Sequence, residues 1–441
     1  MTPGLIIAAP SSGSGKTLVT LGLIRHLSAE GRRVASAKVG PDYIDPAYHS
    51  AAGSRDCQTL DSWAMRPALL DNLTGGLNDD SDIIICEGVM GLFDGAVGGG
   101  GATADIAART GWPVVLVVDV RGMAASVAAI VSGFARHRSD LRVAGVIFNR
   151  IASDRHFDLL AEAVRVSCPD VAILGGLRRR ENLAVPSRHL GLVQAGEARD
   201  LHRLLDDAAA AVAEDLDIAA LTGLAGEAGT TGIGGADPAI PPPGQHIAVA
   251  RDTAFAFSYP HVLKGWRNAG AEMTFFSPLA GEGPSNAATA VYLPGGYPEL
   301  HAGKLAASRG FRDQMLAAVG RDAVVYGECG GYMTLGNGLT DAGGVRHQML
   351  GLLPLETSFE APRRRLGYRV ATLLADGPLG GAGSGFRAHE FHYSAEEKTD
   401  GGNRLFSVCD AVGTDSGLSG LVQGRVFGSY IHLIDRENPS R

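Results

Sequence analysis

Near the N-terminus an apolar run at residues 5–9 passes into Pro10-Ser11-Ser12-Gly13-Ser14-Gly15-Lys16-Thr17, and Val19, Leu23 and Leu27 follow at helical spacing. A strand, a glycine-containing loop and a helix in this order leave the chain little choice. The loop turns through backbone conformations open to glycine, and the helix buries one stripe against the sheet that holds the strand. Such a loop gathers backbone N–H groups at a helix N-terminus, where the dipole also favours negative charge. Lys16 adds a cation aimed at the outer phosphates and Thr17 a hydroxyl for a divalent metal, so the segment reads as a P-loop for a nucleoside triphosphate. Ser12, Gly13, Ser14, Gly15, Lys16 and Thr17 are the expected nucleotide-binding residues. Pro10 stands where the usual pattern has its first glycine, and the Gly-Lys-Thr end is intact.

Short β-branched runs at 5–9, 33–38, 82–86, 113–119 and 142–148 alternate with helical patterns, the rhythm of a parallel sheet. From 222 to 244 seven glycines and four prolines fall within 23 residues, a composition with too little apolar surface to order itself. The rhythm restarts at 246–250, 272–276, 290–293 and 323–326. A chain of 441 residues, against roughly 150 for a typical domain, agrees with that division. The expectation is two α/β domains, 1–221 and 245–441, joined by a linker at 222–244.

Thirty-nine Lys and Arg against 47 Asp and Glu leave a net charge of −8, without the basic stripe of a nucleic-acid binder. No apolar run approaches the roughly 18 residues that span a bilayer, and the first one lacks the basic flank of a secretory signal. A cytoplasmic protein without nucleic-acid or membrane partners is expected. The five cysteines form no Cys-x-x-Cys pair, which argues against a disulfide framework and a structural zinc site.

Carboxylates cluster just past two strands, where open α/β sheets bind their ligands. One group is Asp42 and Asp45 in Lys38-Val39-Gly40-Pro41-Asp42-Tyr43-Ile44-Asp45-Pro46; the other is Glu87 and Asp94 in Glu87-Gly88-Val89-Met90-Gly91-Leu92-Phe93-Asp94. With Thr17, Asp45 and Glu87 form the candidate Mg²⁺ ligands, while Lys38, Asp42 and Asp94 are candidates for substrate binding and phosphoryl transfer. Asp42 and Asp45 beside prolines also suit turn formation. Asn149, at the end of 142–148, suits either reading an adenine edge or capping a loop.

In the second half a strand leads into Gly327-Glu328-Cys329-Gly330-Gly331, a nucleophile elbow with cysteine in place of serine. A following helix N-terminus is expected to lower the Cys329 thiol toward thiolate. His432 is the candidate base, with His389 and His392 as competitors; Gly295, Gly296 and Gly330 are the candidate oxyanion donors. His389-x-x-His392 also has weak metal spacing without an evident third ligand.

Taken together these segments, with Ser187-Arg188-His189-Leu190-Gly191-Leu192, Pro294-Gly295-Gly296-Tyr297-Pro298-Glu299 and His389-Glu390-Phe391-His392-Tyr393, resemble the cobyrinate or hydrogenobyrinate a,c-diamide synthases of vitamin B12 biosynthesis over nearly the whole chain. The sister cobyric acid synthases lack the Lys38–Pro46 segment in this form. The resemblance implies an N-terminal dethiobiotin-synthetase-like P-loop domain and a C-terminal class I, triad-type glutamine amidotransferase domain. It further implies ATP, Mg²⁺, L-glutamine and a tetrapyrrole polycarboxylate as the small molecules handled, with a homodimer compatible. The activity implied is amidation of the a and c acetates through acyl phosphates, with ammonia released at Cys329–His432 and passed along an enclosed route. Amidotransferases of this class carry His-x-Glu, whereas Leu433 and Ile434 follow His432 and the next acid is Asp435. The orienting acid is therefore absent or comes from elsewhere. Amidation of another tetrapyrrole, as by cobyric acid synthase or on nickel sirohydrochlorin, is the competing enzymatic reading. A P-loop ATPase switch is the non-enzymatic one, and it leaves Cys329 without a task.

Overall fold

The computed structural model describes residues 1–180, 183, 187–188, 191–192, 194–197, 200–227, 229, 237–399 and 401–437. The chain divides into two compact units, one of residues 1–63 and 67–236, the other of 64–66 and 237–441.

In the first unit β1 (Pro3–Ala8), β2 (Val34–Val39), β3 (Gln58–Leu60), β4 (Ile83–Glu87), β5 (Val114–Asp119), β6 (Val143–Ile151) and β7 (Ala172–Arg178) lie side by side in the order β3-β2-β4-β1-β5-β6-β7. Every neighbouring pair in that path is parallel. Both faces are covered, so the strands read as nearly continuous β-branched runs, and β2 and β4 are buried along their full length. Helix α1 (Lys16–Ala29) buries Val19, Leu23 and Leu27, the stripe read from the sequence. The order reverses at β1: the chain runs from β1 out to β2 and β3 on one side, returns to β4, and crosses β1 to β5, β6 and β7 on the other. The crevice at the carboxyl end of β1 is thus the topological switch point, where ligands of open sheets bind.

The second unit carries a ten-stranded sheet. Its parallel half holds Glu272–Phe276, His246–Ala250, Ala290–Leu293, Val324–Glu328 and Val426–Ser429 in that spatial order. Its antiparallel half continues through Asp415–Gln423, Asn403–Asp410, Arg365–Leu373 and Gly385–His392 to Ile431–Arg436. Only Tyr430 separates Val426–Ser429 from Ile431–Arg436, so the last strand leaves the parallel half and closes on the far end of the antiparallel one.

The linker expected at 222–244 does not hold throughout. Residues 222 and 223 end the helix Ile218–Gly223, and Gly226 and Glu227 pair antiparallel with Gly4 and Pro3. Ile240 is buried, and its carbonyl accepts a hydrogen bond from Trp266 Nε1. Residues 228 and 230–236 of that stretch lie outside the described residues, as do His189 and Leu190 of the Ser187–Leu192 motif.

Candidate active sites

In the first unit the loop after β1 reaches α1 through Gly15, whose φ of +98° is left-handed and whose missing side chain leaves room for the Asn149 amide. Asn149 Nδ2 donates to the Ser14 carbonyl at 2.8 Å, and Arg150 Nη1 donates to the Gly13 carbonyl at 3.1 Å. The end of β6 therefore clamps the loop. Of the two sequence readings of Asn149, the loop clamp is seen in the Nδ2–Ser14 bond, and the side chain also lines the cavity below the loop.

Four charged side chains converge below the loop. Lys38 Nζ lies 2.7 Å from Asp45 Oδ2 and 2.9 Å from Glu87 Oε1. Thr17 Oγ1 donates to Glu87 Oε1 at 2.6 Å, and His49 Nε2 meets Glu87 Oε2 at 2.6 Å. Burial works against a Glu87 anion, but Lys38, His49 and Thr17 outweigh it and hold the carboxyl well below the usual carboxylate range. At Asp45 burial and the negative charge of Asp42 win over Lys38 and push the carboxyl up to about 7. Burial, then the charge of Lys38, pulls the Lys16 ammonium down to about 8, and its Nζ donates to the Met90 carbonyl at 2.6 Å.

These groups open onto a cavity of about 920 Å³ lined by Lys16, Thr17, Asp45, Glu87 and Arg179, large enough for a nucleotide and part of a second substrate. Asp42 also lines it, while its Oδ1 accepts the N–H of Ile44 at 2.8 Å and of Asp45 at 3.1 Å, so it is a turn former at the cavity wall. Asp94 departs from expectation: it is exposed, does not line the cavity, and accepts the Gly91 N–H at 2.9 Å to shape the loop after β4. Lys38 is buried and its ammonium is committed to the two carboxylates and the Gly88 carbonyl. His49 escaped the sequence reading. The available signal was its spacing, four residues after Asp45 on α2 (Asp45–Gly53), which puts both on one helical face.

In the second unit the strand Val324–Glu328 ends at Cys329, whose φ of 46° and ψ of −104° form a strained elbow before the helix Gly330–Leu335. A non-glycine residue in such a region costs about 1–3 kcal/mol and persists only where its surroundings enforce it. Here the Cys329 N–H donates to the Ser429 carbonyl at 2.8 Å, and a β-carbon on Gly331 would strike the Leu293 carbonyl.

Gly295 lies between the two groups expected to react. A β-carbon there would sit 3.1 Å from His432 Nε2 and 3.3 Å from Cys329 Cβ. A β-carbon on Gly330 would come 2.9 Å from the Gly296 nitrogen, so these two backbones meet beside the thiol. Of the three histidines, His432 thus adjoins Cys329. His389 is its cross-strand partner, and His392 is committed through Nδ1 to the Ser394 carbonyl (2.9 Å) and through Nε2 to Glu390 Oε1 (3.0 Å). Burial, with His389 and His392 nearby, pulls His432 down to about 3, so its ring is neutral at neutral pH.

The thiol itself contradicts expectation. Burial, then the charge of Glu299, pushes Cys329 up from its ordinary range, and the opposing pull of the Gly330 N–H is weaker. The helix that was to lower it is six residues long. Asp435, the nearest acid after His432, is committed to Arg66: its Oδ2 accepts the Arg66 N–H at 2.7 Å, and Arg66 Nη2 lies 2.9 Å from Oδ1.

Residues 5–193 match the family described as the CobQ/CobB/MinD/ParA nucleotide binding domain, and residues 246–439 match the CobB/CobQ-like glutamine amidotransferase domain. A nucleotide-binding unit carried with a glutamine amidotransferase unit defines the class, a carbon–nitrogen ligase that takes its nitrogen from glutamine. The chain is 52% identical, over 98% of its length and 99% of the relative's, to hydrogenobyrinate a,c-diamide synthase of Rhizobium meliloti (strain 1021). The protein of the same name from Sinorhizobium sp is 51% identical over 98% of both chains, and that of Brucella suis biovar 1 (strain 1330) 49% over 98% of both. The chain belongs to the hydrogenobyrinate a,c-diamide synthase family and is a glutamine-dependent amidating ligase of cobalamin biosynthesis. Among the described residues no helix is long and apolar enough to cross a membrane.

Proposed function

We propose that the chain converts the a and c acetate side chains of hydrogenobyrinic acid to amides in the cytoplasm, using ATP and glutamine. A carboxylate does not react usefully with ammonia because oxide is a poor leaving group. In the first unit a substrate carboxylate oxygen attacks the γ-phosphorus of ATP, ADP leaves, and an acyl phosphate forms. Lys16 and the loop N–H groups spread the charge on the phosphoryl oxygens. Ammonia then attacks the acyl carbon and phosphate departs.

Mg²⁺ fits this cavity, because the Thr17 hydroxyl and the Glu87 and Asp45 carboxylates form an all-oxygen set beside open space for phosphate and water. Bound there, the ion would supply charge neutralisation on the phosphates. Lys38 and His49 hold Glu87 ionised and fixed in place.

In the second unit His432 Nε2 takes the proton of the Cys329 thiol, and Sγ attacks the side-chain amide carbon of glutamine. The oxyanion is received by the Gly296 and Gly330 N–H groups. The imidazolium returns its proton to the departing ammonia, and water releases glutamate from the thioester.

The observation that carries this reading is the strained Cys329 beside His432, with only a glycine between them. It is tested by incubating the protein with Mg-ATP, glutamine and either metal-free or cobalt-containing ring, followed by mass spectrometry. The expected product is the metal-free ring with two carboxyl-to-amide conversions. Exclusive use of the cobalt ring, amidation of other carboxyls, or ATP turnover without any acceptor would overturn it.

A further inference from the structure

The residue before the nucleophile is an acid enclosed in a cage of donors. Glu328 Oε1 accepts the Leu433 N–H at 3.1 Å and the Tyr326 hydroxyl, and Oε2 accepts the Tyr292 hydroxyl at 2.8 Å. Both tyrosines and the carboxylate are buried, and Trp266 packs edge-on to Tyr292 at 5.2 Å. Burial pushes the Glu328 carboxyl up to about 7, while the three hydrogen bonds donated to it pull the other way and favour the anion. Glu328 Oε2 lies 3.8 Å from His432 Nδ1, the ring nitrogen other than the one beside the Gly295–Cys329 pocket. Leu433, whose N–H grips the same carboxylate, directly follows His432, so the bond that fixes Glu328 also fixes the histidine backbone.

We propose that Glu328 is the orienting acid of the glutamine site, a positioning residue that keeps the Nδ1 proton of His432 directed at itself and stabilises the imidazolium formed when Nε2 takes the thiol proton. The acid thus comes from the strand that ends in the nucleophile, not from the segment after the histidine, and Asp435 is left to Arg66. At 3.8 Å the contact is longer than a hydrogen bond; pairs of this kind tighten in the substrate complex. An anion is needed here: thiol and imidazole are both buried and neutral at rest, and the ion pair they form on proton transfer gains from a fixed negative charge on the far side of the ring.

The proposal rests on the Cys329–His432 reading, and the experiment separates the two. In the full chain, Cys329→Ala abolishes glutamine hydrolysis if that reading holds. Glu328→Gln keeps the size and most of the hydrogen bonds but removes the charge. It is expected to lower kcat for glutamine by about 100-fold, with KM for glutamine within about threefold and ammonia-driven amidation unchanged. Unchanged kcat, or a loss confined to KM, overturns the proposal while leaving Cys329–His432 standing. A second measurement uses the wild-type chain, so a poorly folding variant decides nothing. With ¹⁵N-labelled histidine and His432→Gln for assignment, His432 is expected as the Nδ1–H tautomer; the Nε2–H tautomer overturns the proposal.

Discussion

Thr17 Oγ1 and Glu87 Oε1 are 2.6 Å apart, a hydrogen bond that ties the start of α1 to the end of β4. Through it the phosphate-binding loop is registered against the buried group of Lys38, Asp45 and His49. A nucleotide and the acid it energises would then meet rigid elements and not mobile loops.

Thr17→Ala removes that hydroxyl and leaves Glu87 paired with Lys38 and His49. Amidation driven by glutamine and by ammonia is expected to fall together, by about 100-fold or more, with a stability loss of about 1.5–3 kcal/mol from the lost hydrogen bond to a buried carboxylate. Titration of Mg²⁺ into chelator-treated protein should need more metal in the variant. Equal Mg²⁺ dependence would remove Thr17 from the metal set.

Glu87→Gln leaves Lys38 and His49 facing a neutral amide in a fully buried place. Breaking one side of a buried ion pair costs about 3–5 kcal/mol, so the denaturation midpoint should drop clearly and both amidation routes should be lost. A variant as stable as the parent would show that the network is not ionised.

Cys329→Ala should lower glutamine-driven amidation at least about 1,000-fold while ammonia-driven amidation stays within about twofold, because the thiol serves only nitrogen release. Parallel assays with ammonium chloride and glutamine check this. Loss of both would mean that the two units do not divide the chemistry.

Gly295→Ala places a methyl group against the His432 ring and Cys329 Cβ. Displacing these groups by about 1 Å should cost about 100-fold in glutamine use and nothing in ammonia use. Full glutaminase activity in the variant would show that the two residues need not approach as they do.

His49 provides a pH test. Burial would pull its imidazole down, but Cys57 at 3.5 Å and Glu87 at 2.6 Å prevail and raise it from 6.5 to about 10. A group raised in the folded state stabilises fully below its unfolded value and loses that contribution as pH climbs through its folded one. The stability advantage of wild type over His49→Gln should therefore be full below about pH 6.5 and shrink by on the order of 4 kcal/mol by pH 10. Urea midpoints across that range measure it; a gap that is constant would mean a neutral ring.

Much of both sites was legible because the chemistry is written in short contiguous segments. Gly13 to Thr17 and Gly327 to Gly331 each carry strand, turn and helix start together, and the parallel strands showed as β-branched runs because both sheet faces are covered. The antiparallel half of the second unit was not legible. The strand Asp415–Gln423 alternates weakly and is exposed over its first four residues, so it lacks a burial pattern. The expected low Cys329 thiol failed for a related reason, since desolvation depends on what the fold packs around the elbow and the six-residue helix offers little against it.

By itself the sequence determined two α/β units, a strand–loop–helix at Lys16 and a strand–elbow–helix at Cys329, since local backbone geometry and helical or strand periodicity are properties of neighbouring residues. Tertiary structure alone decided that His432 and Cys329 meet at Gly295, that Asp94 shapes a loop and does not line the cavity, that His49 grips Glu87, and that Glu328 faces the imidazole. The last of those relationships joins Glu328 and His432, 104 residues apart and on strands that are not neighbours in the sheet, so it depends on how the last strand returns to the elbow, which spacing along the chain does not encode.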